Sequence, residues 1–128
     1  MRLLLDTHAF LWFILDDRQL SAEADRLISD PNHEIEVSPA SYWEIAIKIK
    51  LGKYSLPQPY QSFMETHIAV NEFKILPILP IHTALLTTME LHHKDPFDRL
   101  LLAQALTENI PIVSADTHFD AYGVQRLW

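Results

Sequence analysis

The sequence predicts an α/β fold: a three-layer α/β/α domain around a short, mostly parallel central sheet. Three observations carry this. Short apolar runs alternate along the chain with longer segments of helical period. The first run, Leu3-Leu4-Leu5, is apolar without alternation, as a strand covered on both faces requires. Eight prolines and only two glycines punctuate the chain, with no repeat, low-complexity tract or linker, so one domain over residues 1–128 is expected.

Arg2–Leu5 reads as a buried strand stopped by Asp6-Thr7, and Ala9–Leu15 as the helix behind it. Ser21–Ser29 is a second helix, stopped by Asp30-Pro31-Asn32, and Glu34–Val37 a second strand. Pro39–Leu51 is a helix, because Tyr42, Ile45, Ala46 and Ile49 recur at helical spacing and Gly52 ends it. After the proline-bearing loop Lys53–Pro59 come a helix over Tyr60–Val70, a strand over Phe73–Leu76 and a helix over Ile81–Leu91. The polar loop His92–Lys94 leads to Phe97–Glu108, a helix so apolar that it must be covered on most sides. Ile112–Ser114 is a strand, Thr117–Tyr122 a short helix and Val124–Leu127 an edge strand. Strands alternating with helices imply a sheet whose ligands sit beyond the carboxyl ends of its strands.

Composition narrows the function. The longest apolar run, Ala9–Leu15, has seven residues, and a membrane span needs about 20. An acid at position 6 interrupts the stretch a signal peptide would need, so the expected address is cytoplasmic. Cysteine is absent, which removes disulfides, thiolate metal sites and a cysteine nucleophile. Seventeen acids against ten bases give a net charge of −7, which disfavours coating nucleic acid by charge alone. It leaves open a nuclease whose carboxylates hold cations that meet the phosphate.

Four acidic positions follow a strand or open a helix: Asp6, Glu44, the pair Asp95/Asp98, and Asp116. Each has a structural explanation. Asp6, Asp95 and Asp116 stand where helix N-caps stand, and Asp98 lies in a first turn that favours negative charge. Glu44 fits a capping box with Ser41 and an i,i+4 pair with Lys48, although Ser38-Pro39 already supplies a helix start. Together the four positions point to one cleft. Packed carboxylates raise one another's pKa unless a cation relieves them. Oxygen-only ligands suit Mg²⁺ or Mn²⁺.

These blocks resemble the PIN-domain family, and within it the VapC-like ribonuclease toxins of toxin–antitoxin pairs. The matching text is Leu3-Leu4-Leu5-Asp6-Thr7-His8, then Ser38 to Ile45 with Lys48 and Gly52-Lys53, then Asp95-Pro96-Phe97-Asp98-Arg99 through Ala105, and finally Ile112 to Asp116 with Phe119. The resemblance implies a pocket of Asp6, Glu44, Asp98 and Asp116 that binds Mg²⁺ (Mn²⁺ substituting) and cleaves RNA. Asp98 rather than Asp95 matches the third acid, and Ser114 stands where the family often has Ser or Thr near the metal. The chemistry would be hydrolysis by a metal-activated water, leaving a 5′-phosphate and a 3′-hydroxyl. An antitoxin and a homodimeric state are further implications. The alternative is an idle PIN module serving as a scaffold.

Lys48, Lys53 and Arg99 are candidate phosphate contacts, and equally plain charged helix ends. Phe10 to Leu15 is apolar all round, from either a partner surface or a deep core. The histidines lack ligand spacing, and His92-His93 reads as solvated. A phospho-aspartate receiver would need an acid pair at the first strand exit and a Lys after the last strand. A haloacid-dehalogenase-type phosphatase would need Asp at position 8, which is His.

Overall fold

A computed structural model describes residues 1–90, 92 and 94–128. The chain runs β1 (Arg2–Leu5), α1 (Thr7–Ile14), α2 (Ala22–Ser29), β2 (Glu34–Val37), α3 (Pro39–Lys50), α4 (Tyr60–Val70), β3 (Lys74–Ile75), α5 (Pro80–Leu86), α6 (Pro96–Glu108), β4 (Ile112–Val113), a 3-10 turn (Thr117–Tyr122) and β5 (Arg126–Leu127). The strands form a five-stranded sheet in the order β3-β2-β1-β4-β5, with every pairing parallel. The expected three-layer α/β architecture is therefore present, and the sheet is wholly rather than mostly parallel.

Alternation along β1 sorts the core into two layers. Leu3 and Leu5 pack with α1, α2 and α4 residues such as Phe10, Leu27 and Phe63. Leu4 points the other way, onto Leu101, Leu102 and Phe119. The same alternation puts Glu36 of β2 on the Leu4 side, where it is buried. Arg2 satisfies it with two hydrogen bonds, Nε to Oε2 at 2.7 Å and Nη2 to Oε1 at 2.9 Å, and reaches Glu108 of α6 at 3.1 Å. His82 of α5 completes the group. Its Nδ1 accepts from the Leu79 amide at 3.0 Å, so Nε2–H donates to Glu108 at 2.9 Å. A charged cluster thus ties β1, β2, α5 and α6 together at the amino end of the sheet.

Several boundaries differ from expectation. Helix α1 begins at Thr7 because the Asp6 side chain caps it, two residues before its apolar run. Helix α5 covers Pro80–Leu86, shorter than the apolar pattern suggests; Leu91 and His93 lie outside the described residues. Strands β3, β4 and β5 have two residues each, so flanking apolar residues extend beyond the ladder. Among the described residues no helix is long and apolar enough to cross a membrane. Helix α1 buries Ala9, Phe10, Leu11 and Ile14, whereas Trp12 and Phe13 are half-buried. Phe13 packs on Phe73 at 5.9 Å, and Trp12 lies against His8 at 5.0 Å and Trp128 at 5.9 Å. The apolar excess of this helix is thus partly taken up by the chain itself.

Helix α6 starts as its sequence implies. Asp95 Oδ1 accepts from the amides of Phe97 at 2.9 Å and Asp98 at 3.2 Å, and Pro96 occupies the first turn. Asn109 ends the helix in the left-handed region at φ 55°. Removing the cap with Asp95→Ala is expected to cost about 0.5–2 kcal/mol in urea unfolding.

Candidate active site

Parallel pairing puts the ends of β1, β2 and β4 along one edge of the sheet. The chain moves outward from β1 through β2 to β3, then crosses to β4 and β5 on the other side. β1 is thus the switch point, where such sheets open a crevice. Asp6 lies there at the end of the central strand, only 5% exposed. Its backbone amide donates to Val113 of β4 at 3.1 Å. Oδ1 accepts from the Ala9 amide at 2.7 Å and Oδ2 from the Ser114 hydroxyl. The cap explanation and the site explanation for Asp6 are therefore compatible, because each oxygen serves a different partner.

Glu44 reaches the same edge from α3. Ser38 Oγ starts that helix by accepting from the Ala40 amide at 3.1 Å, which frees Ser41 from capping. Ser41 instead meets Thr7 through its hydroxyl at 2.9 Å, joining α3 to α1. Glu44 lies one turn further in and is 3% exposed. Lys48 Nζ donates to its Oε2 at 2.6 Å, while Oε1 is buried with no hydrogen-bond partner.

Asp98 brings α6 to the cluster. Its carboxyl is pushed up to about 8, chiefly by burial and then by the negative charges of Asp95, Asp6, Glu44 and Asp116. The charges of Asp6, Glu44 and Asp116 thus act on Asp98 from distant parts of the sequence. Burial likewise raises Asp6 to about 6, against the hydrogen bonds from Ser114 and Ala9 and the charge of His8, with Glu44 adding to the rise. Asp116 follows β4; its amide donates to Ser114 Oγ at 3.0 Å, and its Oδ1 lies 2.8 Å from His118 Nδ1.

Donors from the chain occupy much of this cluster: Ser114 and the Ala9 amide on Asp6, Lys48 on Glu44, His118 on Asp116. Accordingly, among the described residues no three His, Asp or Glu side chains already stand around a common point as a metal cage would. The donor chemistry nevertheless suits a hard divalent cation. All four groups offer oxygen, Glu44 Oε1 is an orphaned buried acceptor, and burial with neighbouring negative charge raises the Asp98 carboxyl.

The candidate phosphate contacts separate. Lys48 is half-buried against Glu44 and lies 3.5 Å from the Tyr54 hydroxyl, Lys53 is exposed, and Arg99 has a buried Nε without a partner. Tyr54 and His118 carried no signal in the sequence. Tyr54 sits in a loop without period, yet its hydroxyl lies 3.0 Å from His8 Nε2 and so joins α1 to Lys48. His118 lacks metal-ligand spacing, but two residues after an N-cap Asp is within reach of that carboxylate. His92 is exposed and pairs with Glu90 at 2.9 Å.

Fold and acidic crevice together define a parallel three-layer α/β domain whose switch point gathers carboxylates. The chain belongs to the PIN-domain family: the family's pattern, described as PIN domain, matches residues 3–125. No curated protein shows a significant sequence match. Among solved structures, VapBC2 from Rickettsia felis, bound to a DNA fragment from its promoter, matches with TM-score 0.71 and 17% identity, over 100% of this chain and 99% of that one. FitAcB from Neisseria gonorrhoeae matches with TM-score 0.68 and 18% identity, over 98% and 96% of the two chains. VapBC-5 from Mycobacterium tuberculosis, a member of the VapBC family of toxin-antitoxin systems, matches with TM-score 0.62 and 15% identity, over 98% and 97%. At these identities the likeness is one of fold.

The raised carboxyls set a pH dependence. Unfolded aspartates ionise near pH 4. The folded chain holds protons that the unfolded chain has released, so stability falls as pH rises from about 4 through about 8. Urea midpoints measured across this range without divalent ions should decline, and Asp98→Asn should flatten the upper part of the slope.

Proposed function

We propose that this protein is a Mg²⁺- or Mn²⁺-dependent ribonuclease, the VapC-like toxin of a toxin–antitoxin pair, acting through a single PIN domain over residues 1–128. The observation that carries this reading is the raised Asp98 carboxyl, on which the charges of Asp6, Glu44 and Asp116 act, beside a Glu44 oxygen that is buried and unpaired. PIN-family membership and the likeness to VapBC complexes support it.

Asp6 and Asp98 would hold the cation, with Glu44 and Asp116 completing its surroundings directly or through water. When bound, the ion supplies a water of lowered pKa and a Lewis acid for the phosphoryl oxygen. Ser114 and the Ala9 amide fix the Asp6 carboxylate, so its orientation does not depend on the ion. Lys48 fixes Glu44 by one oxygen and leaves the other to orient the attacking water or take its proton. The Lys48 ammonium is committed to this positioning role, which leaves Lys53 and Arg99 as the phosphate contacts.

The antitoxin is the expected protein partner, and self-association of the toxin is expected as well. A partner segment that covers the half-buried Trp12 on α1 and sets an Arg or Lys among the carboxylates would offset their charge as Lys48 already does for Glu44.

Asp6→Asn and Asp98→Asn should each abolish Mg²⁺-dependent cleavage of a mixed RNA panel while circular dichroism stays native. Retained cleavage in both variants would sink the metal reading. A folded wild-type chain that cuts no RNA with either ion would favour the scaffold. Trp12→Glu should weaken antitoxin binding at least tenfold and leave Mn²⁺ affinity within about twofold, both read by titration calorimetry.

A further inference from the structure

Trp43 is among the most exposed large apolar side chains among the described residues, at 64% of its surface. It does not stand in isolation. Its indole meets the Phe97 ring edge to face, with centroids 5.4 Å apart and planes at 85°. This contact bridges α3 and the first turn of α6, the two helices that deliver Glu44 and Asp98. Each aromatic residue immediately precedes one of those acids. Successive helical residues diverge by about 100°. Glu44 therefore turns inward and is buried while Trp43 turns outward, and the aromatic pair lies beside the helix turns that carry Glu44 and Asp98.

The charge balance indicates what this pair holds. The chain carries a net charge of −7, and Lys48, the cation nearest Glu44, is already paired with it. A polyanion approaching this crevice meets carboxylates, so Coulomb attraction supplies little affinity beyond the bound cation. Base stacking on an aromatic ring needs no charge and works for any base. A duplex keeps its bases stacked on one another, whereas a single strand can offer one to an exposed indole.

We infer that Trp43, braced by Phe97, is the stacking platform for a base beside the scissile phosphate. This rests on the ribonuclease reading of the acid cluster. Trp43 is then a binding residue, and Phe97 positions it.

The test uses the full chain and a fluorescein-labelled, mixed-sequence 12-nucleotide RNA, in Ca²⁺ for binding and in Mg²⁺ for cleavage. Trp43→Ala should weaken binding about 5- to 150-fold, the range for one lost base stack. The loss in cleavage should fall on KM more than on kcat. Trp43→Phe should recover most of the affinity, and a matched duplex should bind more weakly than the single strand. Raising the salt should weaken wild-type binding only slightly. Unchanged affinity and KM in Trp43→Ala would overturn the platform while leaving the acid site standing. So would a shift in oligomeric state in that variant without a change in RNA affinity, which would make this face a contact between copies. Absence of wild-type cleavage overturns the ribonuclease reading instead; Ca²⁺ binding by wild type and Trp43→Ala then decides the platform alone.

Discussion

The Asp6 carboxylate follows the central strand of the sheet, and both of its oxygens are held by the chain. One takes the Ala9 amide and so starts α1; the other takes the Ser114 hydroxyl and so ties β1 to the exit of β4. A charge this deeply buried is tolerable only when hydrogen-bonded. The two bonds also draw α1 and the β4 exit toward the same point. Ser114 passes the constraint on by accepting from the Asp116 amide, and Thr7, the first residue of α1, passes it to α3 through Ser41. The crevice is a consequence of how one buried carboxylate is satisfied.

The two ends of the sheet handle charge in opposite ways. At the amino end, Glu36 and Glu108 share Arg2, and Glu108 also accepts from His82, so each acid has hydrogen-bond donors from the chain. At the carboxyl end Lys48 pairs with Glu44 and His118 with Asp116, while burial and neighbouring acids raise the Asp98 carboxyl. Hydrogen-bonded acids tie elements together; buried acids near one another raise their pKa values.

The aromatic residues follow this division. Phe10, Phe63 and Phe119 fill the core, whereas Trp43 and Trp12 lie outward on the helices that frame the acids. His8 and Tyr54 extend that frame on the α1 side, with rings 6.3 Å apart and Tyr54 near Lys48.

Much of this was legible in the sequence because it depends on local chemistry. The unbroken apolar Leu3-Leu4-Leu5 run, the Ser38-Pro39 start of α3 and the Asp95-Pro96 start of α6 each carry their own signal, and the structure has β1, α3 and α6 there. The four acids could be picked out by their places at strand exits and helix starts. Their joint electrostatics, the Ser114 bond to Asp6 and the Tyr54 link to Lys48 span gaps with no periodicity to announce them. The depth of the Phe10–Leu15 helix was equally open, because Phe73 and Trp128, which cover parts of it, come from far along the chain. Residue type and spacing determine which groups carry charge and which faces are apolar. Strand order and the alternation of Leu3, Leu4 and Leu5 between two cores decide which of those groups meet, because only a closed three-dimensional packing brings distant segments within a few ångströms.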